Sequence, residues 1–301
     1  MPPILFDEKT RRKLEQIVLS ASRVRAGAIK GERRSVKRGS STEFADYRNY
    51  VPGDDLRRLD WNIYARLERP LTKLYEDEED LAVHLLLDTS LSMDWPREGD
   101  PDLNKFVYAR RLLAGLGYVS LVSNDRLVVA AIGSGDGQPL PVYGPARGRG
   151  YGVGLLNFIN GLQPRGTTDL NAALRDYALR SARPGLCLLL SDMFSPSGYL
   201  DGINALLSKG HEIAVLHVLA PDEIDPPLVG DLRLIDTETG APQEVSLDTD
   251  MRQLYRRRVE AWREEMRVEC LRRGIHCVLV DTSMPWEKVI LYDLRRLGVV
   301  R

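Results

Sequence analysis

At 301 residues the chain is long enough for one large α/β domain, or for one domain with an appendage. Its 43% apolar and 28% charged residues are ordinary for a soluble globular protein, and a net charge of −1 supplies no global field to select nucleic acid or membrane. The charges are segregated, however: Lys9 to Arg38 is basic with only Glu15 and Glu32 opposing, whereas Glu76-Asp77-Glu78-Glu79-Asp80 is an unbroken acidic run.

The three cysteines, Cys187, Cys270 and Cys277, form no Cys-x-x-Cys, and two of them lie in apolar strand-like runs, which points to reduced thiols in a cytosolic protein. The N-terminus carries only Ile4-Leu5-Phe6 before charges begin, so no signal peptide is expected. The longest apolar stretch, Leu112 to Ser123, is too short to cross a bilayer. A soluble, cytoplasmic chain with no membrane anchor is the expectation.

In chain order, residues 7 to 25 carry Leu14, Ile17, Val18, Ala21 and Val24 at helical spacing and predict an amphipathic helix. Residues 32 to 80 are polar and turn-rich, with Pro52-Gly53-Asp54 as a turn. Alternating acids and arginines surround Trp61 there. They predict a segment tied down by charge pairs among Arg48, Asp54, Asp55, Arg57 and Asp60, with Trp61 as a buried anchor.

From Leu81 strands and helices alternate. The strands are Leu81–Leu87, Arg126–Ile132, Leu186–Ser191, Ile213–Leu219 and His276–Val280. The helices are Asn104–Val122, one from Val153 to Gly161, Asp169–Arg183, Tyr199–Ser208, residues 250–273 and Trp286–Leu297. Gly133 to Gly150 has room for short strands at most, and Pro221 to Asp250 reads as a small β-hairpin insertion turning near Asp236. The long helix is expected to bury Met251, Leu254, Tyr255, Val259, Trp262, Met266 and Cys270. Alternation of this kind predicts a doubly wound, mainly parallel α/β sheet with right-handed crossovers. The predicted organisation is an N-terminal helix and charged extension over 1–80, packed on a core of 81–301 with the insertion at about 221–250.

The chemistry concentrates where the first strand of that core ends, in Leu87-Asp88-Thr89-Ser90-Leu91-Ser92. Asp-x-Ser-x-Ser after a buried strand delivers three hard oxygens to the rim of a sheet, and hard oxygens suit a cation such as Mg²⁺. Ligands of open parallel sheets bind at this carboxyl edge. The plainer alternative is that Asp88 caps a helix and the serines form a turn. Gly166-Thr167-Thr168-Asp169 adds a hydroxyl-bearing loop, and the strand Leu186–Ser191 also runs into an acid, Asp192.

Two strands ending in Asp with a Gly-Thr-Thr loop between them resemble the von Willebrand factor A-like domain. The resemblance implies a metal-ion-dependent adhesion site made by Asp88, Ser90, Ser92, Thr168 and Asp192, with Thr167 as an alternative loop ligand. It implies Mg²⁺, or Mn²⁺ or Ca²⁺, as the ion. A second pattern, Glu43-Phe44, Arg48 and Tyr50, then Gly53-Asp54-Asp55, Arg57, Asp60-Trp61 and Ala65-Arg66, resembles the bacterial family called domain of unknown function 58. In that family such a segment precedes an A-like domain. Many members carry transmembrane helices upstream, and none is expected in this chain.

No Walker phosphate loop, dinucleotide fingerprint or Gly-x-Ser-x-Gly elbow is present, and no catalytic base stands out. The four histidines, His84, His211, His217 and His276, lie in or beside apolar strands and are expected to be packed. The expected function is therefore a metal-dependent protein-binding module, not an enzyme and not a nucleic-acid binder. An incompletely coordinated cation would take a carboxylate from a partner. The family resemblance implies that the partner is a MoxR-type AAA+ ATPase, with this chain as adaptor or co-chaperone in the assembly or activation of other complexes. The alternative is a metal-dependent hydrolase of phosphoryl or acyl substrates.

Overall fold

The computed structural model describes residues 6–21, 44–52, 54, 56–75, 81–133, 141–227, 230–236 and 240–301. Much of the basic arm, the whole acidic run, Asp55 and the tip of the hairpin turn lie outside the described residues. Compactness divides the chain into two units, Met1–Lys30 with Leu81–Arg301, and Gly31–Asp80. The N-terminal helix thus groups with the larger unit.

That helix, α1 (Glu8–Leu14), is shorter than its apolar spacing predicts. Asp7 caps it by accepting from the Thr10 amide at 2.8 Å. Beyond Leu14 the chain is extended: Leu19 bridges Val300 in antiparallel fashion, while Val18 and Ser20 donate to the carbonyls of Arg301 and Val299. Ile17, Leu19 and Ala21 are buried and Val18 is exposed, a period of two. The backbone bonds offered by the C-terminal residues outweigh continued helix here.

In the smaller unit, β1 (Phe44–Asn49) pairs antiparallel with β2 (Leu71–Tyr75), and α2 (Trp61–Leu67) lies between them in sequence. Asp60 caps α2, accepting from the amides of Asn62 and Ile63 at 3.0 and 3.2 Å and from the Tyr47 hydroxyl at 3.0 Å. Arg48 and Asp54 form the expected ion pair at 2.8 Å. Trp61 is not the buried anchor predicted: it is 60% exposed and meets Tyr64 edge-on. Among the described residues of this unit, Leu59 and Thr72, bridged to each other, and Asp60 are buried instead.

The larger unit continues with β3 (Ala82–Asp88), α3 (Lys105–Val122), β4 (Arg126–Ile132), β5 (Val142–Ala146), α4 (Gly152–Gly161), α5 (Leu170–Arg180), β6 (Leu186–Ser191), α6 (Leu200–Ser208) and β7 (Glu212–Leu219). A short helix α7 (Pro221–Ile224), the hairpin β8 (Gly230–Ile235) and β9 (Pro242–Leu247), the long α8 (Thr249–Arg272) and β10 (His276–Asp281) follow. Helical turns at Trp286–Lys288, Val289–Asp293 and Leu294–Arg296 end the chain, the middle one wider than an α-helix.

Six strands form one sheet in the order β10-β7-β6-β3-β4-β5, all parallel except the antiparallel edge strand β5. Every residue of β3, β6 and β7 is buried, as expected of parallel strands covered on both faces. Alternate residues serve opposite faces. Val83, Leu85 and Leu87 pack with Phe106, Leu112 and Leu116 of α3. Leu86, Leu189 and Val215 pack with Leu170, Leu174, Ile203 and Met266 on the other face. The architecture is a mixed α/β layer with helices on both faces.

Helix α8 departs from its predicted stripe. Met266 and Cys270 are buried, but Met251, Leu254 and Tyr255 are 44%, 58% and 38% exposed. Only the C-terminal part of this helix lies against the sheet core, so the apolar spacing of its first turns does not become burial.

His84, His211 and His217 are buried, and His276 is half-buried. Burial, with a smaller contribution from nearby His211, pushes His84 down to about 4. In the unfolded chain a histidine takes up its proton near 6.5, so between about pH 6.5 and 4 the folded state binds fewer protons. Stability is then complete above 6.5 and falls as the pH drops toward 4, by about 3 kcal/mol for His84 alone. Urea denaturation from pH 7.5 to 4.5 should show this loss, and His84→Gln should make it shallower. Equal slopes in the two proteins would contradict it.

Candidate functional site

From β3 the chain moves outward to β4 and β5, then returns across β3 to β6, β7 and β10. The carboxyl ends of β3 and β6 therefore flank the point where the winding reverses, which is where open α/β sheets form binding crevices. Asp88 is the last residue of β3, and Asp192 follows β6 on the neighbouring strand. Both are buried.

Asp88 organises the local hydrogen bonds. Its Oδ1 accepts from the Ser90 amide and from Thr168 Oγ1, both at 3.0 Å, and its Oδ2 accepts from Ser191 Oγ at 2.6 Å. Thr168 is buried and Thr167 exposed, so Thr168 is the threonine brought to the acid. Its position is set by Asp169, which caps α5 through the Ala172 amide at 2.9 Å and accepts from Ser197 Oγ at 2.7 Å. Ser90 Oγ and Ser92 Oγ stand 2.9 Å apart. Neighbouring ligands of an octahedral Mg²⁺ at roughly 2.0–2.1 Å would be separated by about that distance. Gly133 closes the floor with φ +103°. A Cβ there would fall 2.2 Å from Thr168 Oγ1 and 3.3 Å from Asp88 Oδ1, so only glycine fits beside the pair.

Asp88 and Thr168 are thus in direct contact, and Ser90 and Ser92 touch each other. Asp192 acts on Asp88 electrostatically: burial above all, and then the Asp192 charge, raises the Asp88 carboxyl above its ordinary range. Asp192 Oδ1 accepts from the Phe194 amide at 3.0 Å, and its backbone carbonyl accepts from His217 Nε2 at 3.1 Å.

Three participants are absent from the sequence expectation. Ser191 bridges Asp88 Oδ2 and the Met193 amide. Lys105, fully buried in the first turn of α3, donates to Asp192 Oδ2 at 2.7 Å and to Glu223 Oε1 at 2.6 Å. Burial alone would lower the Lys105 ammonium, but Asp192 and Glu223 outweigh it and hold the pKa up. Glu223 Oε2 also accepts from the Ala220 amide, and burial raises its carboxyl in spite of Lys105. The hydroxyl of Ser191 beside Asp192 in the sequence was the one available signal; a lysine in a first helical turn carries none.

Taken as ionised, Asp88, Asp192 and Glu223 against Lys105 leave two negative charges, the charge of one divalent cation. With hard hydroxyl and carboxylate donors and a hydroxyl–hydroxyl edge of octahedral length, the residues fit such an ion. Among the described residues there is no cluster of three His, Cys, Asp or Glu side chains arranged for a metal, so a cation here would rely on hydroxyls. Beside this site, and sharing Ser92 and Glu223 with it, a hollow of about 500 Å³ is also lined by Trp95, Phe194, Ile235 and Asp236 among others. Trp95, Phe194 and Ile235 are exposed, and Phe194 stacks on Trp262.

The fold and this crevice define a class: a mixed α/β protein with an acid-and-hydroxyl site at the carboxyl edge of a mostly parallel sheet. Residues 46–265 match the family described as "Protein of unknown function DUF58", and the chain belongs to that family. Uncharacterised proteins of Mycobacterium bovis and Mycobacterium tuberculosis are 27% identical over 284 residues, covering 93% of this chain and 87% of theirs. Among solved structures, the conserved hypothetical protein BatB from Bacteroides thetaiotaomicron is similar over 72% of this chain and 98% of its own, at 19% identity and TM-score 0.42. An aerotolerance-related membrane protein from Bacteroides fragilis covers 72% and 99%, at 19% identity and TM-score 0.44. Among the described residues of this chain, no helix is long and apolar enough to cross a membrane.

Proposed function

We propose that this chain is a metal-dependent protein-binding module of the von Willebrand A-like kind, in which Asp88, Ser90, Ser92, Thr168 and Asp192 hold Mg²⁺ or a similar ion. The observation that carries this reading is the meeting of a strand-end acid, a loop threonine and a serine pair at the winding reversal. The three hydroxyls would be the direct ligands and the two acids the charge. A coordination position left to water would accept a partner's Asp or Glu side chain. The adjoining hollow supports protein binding over hydrolysis, because it is broad and rimmed by Trp95, Phe194 and Ile235. Its buried acid, Glu223, is committed to Lys105 and the Ala220 amide and is not free to act as a base.

The partner that the family resemblance implies is a MoxR-type AAA+ ATPase, with this chain as its adaptor or co-chaperone. The chain has no nucleotide-binding loop of its own, so energy-driven work would come from that subunit. Co-purification of the ATPase from the source organism should succeed with wild-type protein and Mg²⁺, and fail with chelator or with Thr168→Ala. Equal recovery in all of these samples would remove the metal from the contact.

A further inference from the structure

A second cavity lies at the opposite, amino-terminal end of the same strands. It measures about 200 Å³. Ala82 and His84 of β3, Arg126 and Val128 of β4, Val142 and Pro145 of β5, and Tyr177 with Arg180–Arg183 at the end of α5 enclose it. An apolar cavity of about 150 Å³ admits benzene, so this one holds a single aromatic nucleus or a short chain and excludes a peptide or a nucleotide.

Its walls and its mouth differ in chemistry. Val128, Val142, Pro145, Ala82 and the Tyr177 ring are apolar surface. His84, only 4% exposed, shares a 2.7 Å hydrogen bond between Nδ1 and the Tyr177 hydroxyl. Its Nε2 is enclosed and makes no hydrogen bond of ordinary geometry. With His84 lowered to about 4, the floor is uncharged at neutral pH. The mouth is cationic. Arg180 is spent on Asp176 at 3.0 Å, whereas Arg126 and Arg183 make no ion pair among the described residues. A half-buried Arg126 next to an apolar wall is suited to bind an anionic group in the fork of its guanidinium.

We infer that this cavity is a binding site for a small amphipathic anion, its ring or chain packed between Val128, Val142 and Tyr177 and its carboxylate or phosphate held by Arg126 and Arg183. This site uses none of the residues of the candidate metal centre, so the two readings stand or fall separately.

Calorimetric titration with benzoate and with phenyl phosphate tests it, with neutral benzamide as the control. One saturable site is expected for at least one anion, and the tighter of the two names the head group. Affinity should fall about ten-fold or more for the amide and for Arg126→Gln, the scale of a lost charged hydrogen bond. Val142→Trp, at a half-exposed edge-strand position, should fill the mouth and abolish binding while circular dichroism stays unchanged. Absence of saturable binding at millimolar anion, equal affinity for the amide, or undiminished binding by both folded variants would each overturn the assignment.

Discussion

Asp88→Asn protein should bind neither Mg²⁺ nor Mn²⁺ in a calorimetric titration in which the wild type shows one site. The carboxylate contributes charge and organises three donors, Ser90 N, Thr168 Oγ1 and Ser191 Oγ. An amide keeps the shape but removes one negative charge and turns one acceptor into a donor. The loop threonine and the serine pair then lose the group that aims them. Thermal melting gives an independent readout, because a ligand that binds only the folded state at 100 times its Kd stabilises it by about 2.7 kcal/mol. Mg²⁺ should raise the wild-type melting temperature and leave Asp88→Asn unmoved. Asp88→Ala should also lower stability without metal, by about 1–3 kcal/mol for each buried donor left without an acceptor. Equal heats and equal melting shifts in wild type and Asp88→Asn would refute the metal centre.

The second large effect is expected at Lys105. Its ammonium is fully buried between Asp192 and Glu223, and removing one partner from a buried ion pair typically costs about 3–5 kcal/mol, because the remaining charge is left uncompensated. Lys105→Met should therefore lower unfolding free energy by about that amount in metal-free buffer. Adding Glu223→Gln should recover part of the loss, since one of the two stranded acids is then neutral. Saturating Mg²⁺ should stabilise Lys105→Met more than it stabilises the wild type, because the ion supplies positive charge that Asp192 has lost. Urea titrations of the three proteins with and without Mg²⁺ measure all of this. Wild-type stability in Lys105→Met would mean that the ammonium is dispensable. A Mg²⁺ effect no greater than in the wild type would mean that Lys105 and the cation do not share Asp192.

Lys105 also ties the sheet rim to the segment that carries the β8–β9 hairpin. Glu223 lies in α7, whose Glu223 carbonyl accepts from Tyr255 of α8, and Asp222 accepts from Trp95 Nε1 at 3.1 Å. The aromatic edge of the hollow is thereby joined to residues at both ends of the insertion. A partner that displaced Trp95 or Glu223 would disturb the lysine directly, a physical route from the rim to Asp192.

The strands and the candidate acids were legible because burial on both faces of a parallel sheet demands continuous apolar runs, and these runs end in Asp88 and in Ser191-Asp192. Helix α3 was legible at its first residue, since Asn104 accepts from the Val107 amide as a local cap. Each of these features depends on neighbours within a few residues. What sequence could not supply depends on distant neighbours. Trp61 has the composition of an anchor, yet its place after the Asp60 cap leaves it exposed. The stripe beyond Leu14 has helical spacing, yet hydrogen bonds to the far end of the chain make it extended. Lys105 resembles any solvated lysine until Asp192 and Glu223, 87 and 118 residues away, arrive at its amine. Local pattern determined which residues could be strand, cap or ligand. Only the tertiary structure decided which charges would be buried together, because the cost of burying a charge is set by the groups that the fold places around it.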